Sequence, residues 1–138
     1  MAQSVLFLCN LNTVRSPMAA ALLRQHNSAI ACVESAGIEE GEQNPFVEAV
    51  MLELGVSLDH VPKALDTLRL EDFDVIIALT PHAAATIRQH CPSAMIEFWD
   101  TGDPSETMGA REAILESSRA CRAALTERIA ARFEALAE

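Results

Sequence analysis

The chain has 138 residues, a formal net charge of −10 and a residue content that is half hydrophobic. That length bounds one domain, residues 1–138, with room for a core of its own. Its one lysine, Lys63, and the lack of any basic cluster argue against nucleic acid or an anionic membrane surface as a partner.

Apolar strand-like segments alternate with helical ones along the chain. Val5-Leu6-Phe7-Leu8 reads as the first strand. Pro17 to about His26 reads as the first helix, with Ser16 as its N-cap and Pro17 at the first helical position. Ile30 to Val33 reads as a second strand, closed by Ser35-Ala36-Gly37. Asn44-Pro45 repeats the cap-plus-proline start for a helix that runs to Leu54 and is stopped by Gly55 at C′. A short helical piece is expected around Leu65 to Leu70. Asp74 to Leu79 is a continuous β-branched run of the kind covered on both faces. Thr80-Pro81 caps a helix through about His90, and Ala94 to Phe98 is a weaker fourth strand. The last helix carries apolar residues at Ala110, Ala113, Ile114, Cys121, Ala124, Leu125, Ile129, Phe133 and Leu136. This βα alternation predicts a three-layer α/β/α domain with a four-stranded parallel sheet and about five flanking helices.

The cysteines, Cys9, Cys32, Cys91 and Cys121, show neither zinc-like C-x2-C spacing nor a secreted disulfide framework. No basic segment precedes the first apolar run, so no signal peptide is expected and a cytoplasmic location fits. No apolar run approaches the roughly 18 residues of a membrane span. The glycines form no nucleotide-binding motif.

Parallel sheets bind ligands beyond the carboxyl ends of their strands. The segment Cys9-Asn10-Leu11-Asn12-Thr13-Val14-Arg15-Ser16 lies there, between the first strand and the first helix. A helix N-terminus presents unpaired N–H groups and the positive end of a dipole. A loop above it adds further N–H donors, and Arg15 supplies a planar fork for two oxygens of a tetrahedral oxyanion. The same field favours a thiolate at Cys9, which makes it a candidate nucleophile. The bland alternative is a small buried hydrophobe ending a core strand. Asp103, stiffened by Pro104, is a candidate general acid and base at the same edge, although Asp-Pro is also ordinary turn chemistry. His60 is either a solvated loop histidine or a brace for the anion loop.

Taken together, these residues resemble the low-molecular-weight protein tyrosine phosphatase family and its relatives, the thioredoxin-linked arsenate reductases. The likeness runs through Cys9-x5-Arg15-Ser16-Pro17-Met18-Ala19, Ser35-Ala36-Gly37, Leu54-Gly55-Val56 before His60, and Asp103-Pro104 before the final helix. It implies Cys9 as nucleophile, Arg15 as phosphate clamp and Asp103 as acid and base. It implies a phosphate-binding loop of residues Asn10 to Ser16, supported by Asn12, Ser16, Ser35 and His60, with no metal or cofactor. The implied partner is a phosphorylated protein or a small phosphomonoester, with inorganic phosphate or another tetrahedral oxyanion in the loop.

Leu11 stands where the family usually has glycine. Val14 replaces the second loop cysteine, so the protective intraloop disulfide of some members cannot form. Ser105 follows Asp103-Pro104 where tyrosine is usual, and the chain contains no tyrosine. Any aromatic wall for a substrate ring then falls to Phe46 or Trp99. Cys91-Pro92 looks like the arsenate reductase branch, but the first relay cysteine falls near Thr80, where there is none. The alternatives are therefore an arsenate reductase using Cys9 with an external thiol or Cys91, and a non-catalytic anion-binding relative.

Overall fold

The structure is a computed structural model that describes residues 4–10, 15–27, 30, 32–39, 41, 45–56, 58, 63–90, 95–100 and 110–133. Strands β1 (Ser4–Cys9), β2 (Cys32–Gly37), β3 (Val75–Ala78) and β4 (Ile96–Phe98) form one parallel sheet in the order β2-β1-β3-β4. Helices α1 (Arg15–His26), α2 (Pro45–Leu52), α3 (Pro81–His90) and α4 (Arg111–Arg132) flank it.

The two central strands explain the layers. Both are apolar and buried at nearly every position, and successive side chains point to opposite faces. Val5, Phe7, Cys9, Val75 and Ile77 meet α1, α2 and α4 on one face. Leu6, Leu8, Ile76 and Ala78 meet Ala83, Ala84 and Ile87 of α3, with Leu65, on the other. The predicted three-layer parallel architecture is thus the one observed. Among the described residues, however, four α-helices flank the sheet. The piece expected around Leu65 to Leu70 is two single 3₁₀ turns, Leu65–Thr67 and Leu70–Asp72.

Two boundaries and one buried face differ from expectation for physical reasons. The helix expected from Pro17 starts at Arg15, so Ser16 lies inside its first turn rather than at the cap. The second strand continues through Ser35-Ala36-Gly37, because these residues pair with Phe7, Leu8 and Cys9. The buried side of α4 is Leu115, Ser118, Cys121, Leu125, Ile129 and then Phe133, whereas Ala110 and Ala113 are exposed. Leu115 takes the core position that the small residues before it were expected to fill.

Gly55 does end α2 as expected. Its φ is +74°; its N–H donates to Leu52 O at 2.9 Å and that of Val56 to Met51 O at 3.1 Å, which is the Schellman pattern. Just before it, Glu53 ties α2 to α4. Its carboxylate accepts from Arg119 Nη2 at 2.7 Å and from Arg122 Nη1 at 2.9 Å. Hydrogen bonds from Arg119 and then Arg122 lower its pKa from 4.5 to about 2. A carboxylate whose folded pKa is depressed stabilises above its unfolded value and loses that contribution as pH falls through the folded one. The urea midpoint of the wild type should therefore exceed that of Glu53→Gln at pH 7, and the gap should close between pH 4.5 and about 2. A gap independent of pH would show that the carboxylate charge is not what ties the helices.

Candidate functional site

Cys9 is the last residue of β1, and its side chain is buried (4% exposed). In register it sits opposite Gly37, at the carboxyl edge of the sheet. The edge stays ordered beyond the strands. Ile38 N–H donates to Cys9 O at 3.0 Å, Glu39 N–H to Asn10 O at 2.9 Å, and Leu79 N–H to Leu8 O at 2.8 Å. The backbone on both sides of Cys9 is therefore held by neighbouring strands.

The first turn of α1 places Ser16 against the sulfur. Cys9 Sγ lies 2.9 Å from Ser16 Oγ, and Ser16 Oγ donates to Ala36 O at 3.2 Å. The hydroxyl has one proton and two acceptors in reach. With a thiol, Cys9 donates to Ser16 and Ser16 donates to Ala36. With a thiolate, Ser16 rotates its proton onto sulfur. The serine expected to cap the helix is instead a partner of the thiol.

Arg15 starts α1 and is buried (8% exposed). Its Nη1 donates to Leu79 O at 3.3 Å, so the carbonyl just past the end of β3 orients the guanidinium. A buried guanidinium must be paired or hydrogen-bonded. Oriented at the same sheet edge as the thiol, it suits an oxyanion carrying two negative charges.

Asn10 was expected in the anion loop but without a named support. Thr80 supplies one: its hydroxyl donates to Asn10 Oδ1 at 2.7 Å while accepting from Ala83 N–H at 2.9 Å. Thr80 thus caps α3, as the sequence indicates, and also fixes the first loop residue. The signal was present in Thr80-Pro81 at a strand's carboxyl end. The partner, seventy positions away, was not readable.

Ser35 is buried on β2, on the same sheet face as Phe7 and Cys9. It has no side-chain hydrogen bond among the described residues. Trp99 does not form a substrate wall. It is 3% exposed, stacks edge-on against Phe7 at 5.8 Å, donates to Glu97 Oε1 at 3.2 Å and lies under Arg128 at 5.4 Å. Its ring is core. Phe46, half-buried at the start of α2, carries the Arg111 guanidinium 5.9 Å above its ring. Leu11, Asn12, Thr13, Val14, His60, Cys91, Asp103 and Ser105 lie outside the described residues.

The site therefore joins a thiol, a hydroxyl that can stabilise its anion and an oriented guanidinium at the start of a helix. That combination can hold an oxyanion and attack its central atom.

Comparison with known proteins agrees with this geometry. The profile of a family described as low molecular weight phosphotyrosine protein phosphatase matches residues 4–137. An arsenate reductase of Bacillus licheniformis is 31% identical over 111 residues, which cover 80% of this chain and 80% of that protein. A protein-arginine-phosphatase of Bacillus subtilis is 32% identical over 82 residues, 55% of each chain. Among solved structures, a tyrosine phosphatase of Erwinia amylovora superposes with a TM-score of 0.76 at 25% identity, covering 95% of this chain and 93% of that one.

Proposed function

The chain belongs to the low molecular weight phosphotyrosine protein phosphatase family, and from that membership we propose that it is a cysteine-dependent phosphomonoester hydrolase. One observation carries the reading: Cys9 Sγ stands 2.9 Å from Ser16 Oγ, beside a buried Arg15 anchored on Leu79 O.

The Cys9 thiolate attacks phosphorus in line, so that an S–P bond forms as the ester P–O bond breaks. Arg15 and the loop N–H groups of residues 10 to 16 hold the non-bridging oxygens, where charge is greatest in the transition state. Asp103 gives its carboxyl proton to the leaving oxygen. It then takes a proton from the water that cleaves the S–P bond, which releases inorganic phosphate and restores the thiolate. Ser16 donates to sulfur whenever sulfur carries the negative charge, which eases its departure in the second step.

Asp103 in this role makes a leaving-group prediction. Asp103→Asn should lower kcat/KM for phenyl phosphate by about 10²–10³-fold. It should lower kcat/KM for p-nitrophenyl phosphate much less, because that leaving group needs little protonation. Equal losses on both esters would remove Asp103 from the acid role.

A second reading, arsenate reduction, is favoured by the similarity to the Bacillus licheniformis arsenate reductase. Here the Cys9 thiolate displaces one arsenate oxygen, which leaves as water, and an As–S bond forms. An external thiolate then attacks the Cys9 sulfur; the S–As bond breaks with its electron pair going to arsenic, which leaves as arsenite, and the two sulfurs are left oxidised as a mixed disulfide. Both readings are tested by one panel of aryl phosphates, phosphotyrosine and phosphoarginine peptides, and arsenate with glutathione or thioredoxin, run on wild type and Cys9→Ser. The phosphatase reading expects phosphoester turnover that is lost with Cys9. Arsenite production without phosphoester turnover would replace it with the second reading. Tight phosphate or vanadate binding with no turnover of any kind would make the chain an anion-binding relative.

A further inference from the structure

A groove of about 340 Å³ lies on the α3 side of the sheet, outside the site described above. Its walls are Ile38, Leu65, Leu68 and Leu70, and its polar lining is Asp66, Thr86 and His90. Ile38, Leu68 and Leu70 pack against the α3-side core but stay only partly buried. A volume in the range of about 300–1,000 Å³, apolar walls and a few convergent polar groups are the usual composition of a small-molecule site.

The polar groups set the chemistry of what fits. Asp66 is exposed at the groove, and among the described residues it has no ion-pair or hydrogen-bond partner. His90 Nδ1 faces Thr86 O at 2.9 Å. A carbonyl only accepts, so Nδ1 carries a proton in this contact. The rim thus offers the Asp66 carboxylate beside a four-residue aliphatic wall. Among the described residues, no lysine or arginine lines the groove. These demands are met together by a molecule with one ammonium group and a compact apolar body.

We propose that this groove binds a small, apolar-bodied organic amine, its ammonium group on Asp66 and its hydrocarbon against Ile38, Leu65, Leu68 and Leu70. The proposal does not depend on the activity of Cys9.

Phenethylamine is the probe, with phenethyl alcohol and 3-phenylpropionate as neutral and anionic counterparts of similar shape. Titration of the ¹⁵N-labelled full chain should shift the amide signals of Ile38, Leu65, Leu68, Leu70, Thr86 and His90. Ile38 is an internal reporter, because its N–H also bonds Cys9 O. The amine should bind at least about fivefold more tightly than the alcohol, as one partly screened ion pair allows. That preference should vanish in Asp66→Asn, an exposed substitution that leaves the wall intact. The anion should bind most weakly. Equal binding of amine and alcohol, or a preference unchanged in Asp66→Asn, would overturn the proposal. So would shifts confined to other surfaces, or shifts of the same amides with protein concentration alone, which would assign the groove to a second copy. Filling the wall with Leu70→Trp provides a second check, since it should weaken amine and alcohol alike.

Discussion

Cys9→Ser is expected to lower kcat/KM for p-nitrophenyl phosphate by about 10⁴-fold or more, the scale of loss when a covalent nucleophile is removed. Serine preserves size and can still hydrogen-bond Ser16 Oγ, so the fold and the oxyanion grip should survive. A serine hydroxyl, however, ionises far less readily than a thiol, and no histidine or carboxylate among the described residues hydrogen-bonds Cys9 to act as its base. Vanadate or phosphate should therefore still bind, within a few fold of wild type, while turnover disappears. This split separates loss of chemistry from loss of structure. A variant retaining a tenth of wild-type activity would show that another group performs the attack.

Arg15→Lys keeps the positive charge and should nonetheless lower kcat by about 10²–10³-fold, the usual cost of losing an oxyanion-stabilising donor. The guanidinium is planar and forked, and its Nη1 is already engaged by Leu79 O. In the proposed role, the guanidinium so oriented would grip two oxygens of the substrate. An ammonium is a point charge on a flexible stem and cannot make the anchor and a bidentate grip together. The competitive inhibition constant for phosphate should rise as well. A lysine variant within threefold of wild type in both quantities would show that charge alone suffices there. Thermal melts of the variant should accompany the kinetics, because residue 15 is buried.

The parts of this fold legible in the sequence are those set by local chemistry. The apolar run Val75 to Ala78, β-branched at its first three positions, reads as a doubly covered strand, Gly55 supplied the positive φ that ends α2, and Thr80-Pro81 marked the start of α3. What escaped depends on residues brought together from far apart. Ser16-Pro17 carries an ordinary capping signal, yet the helix starts earlier and spends that hydroxyl on Cys9 and Ala36. Glu34 interrupts the apolar pattern of the second strand. In the structure its side chain pairs with Lys63 at 2.8 Å, while backbone pairing with β1 carries the strand past it to Gly37. The alanines of α4 fit a helical stripe as well as Leu115 does, but only the larger side chain reaches the core.

The candidate site divides in the same way. Cys9, Arg15 and Ser16 were readable because strand, loop and helix are contiguous in the chain. The Thr80–Asn10 contact and the Leu79 carbonyl under Arg15 follow from β3 lying beside β1, which no short motif encodes. Trp99 was a plausible substrate wall by composition alone. Its position beyond β4, facing Phe7 and α4, makes it part of the core instead.

The most direct test of Cys9 as the phosphoryl acceptor is acid-quenched turnover with an aryl phosphate, followed by mass spectrometry of the peptides and ³¹P NMR of the quenched protein. A single phosphoryl group on Cys9, with the phosphorus shift of an S–P bond and no such adduct in Cys9→Ser, is the predicted result. A phosphoryl group on any other side chain, or rapid turnover with no adduct at Cys9 at any quench time, would contradict it.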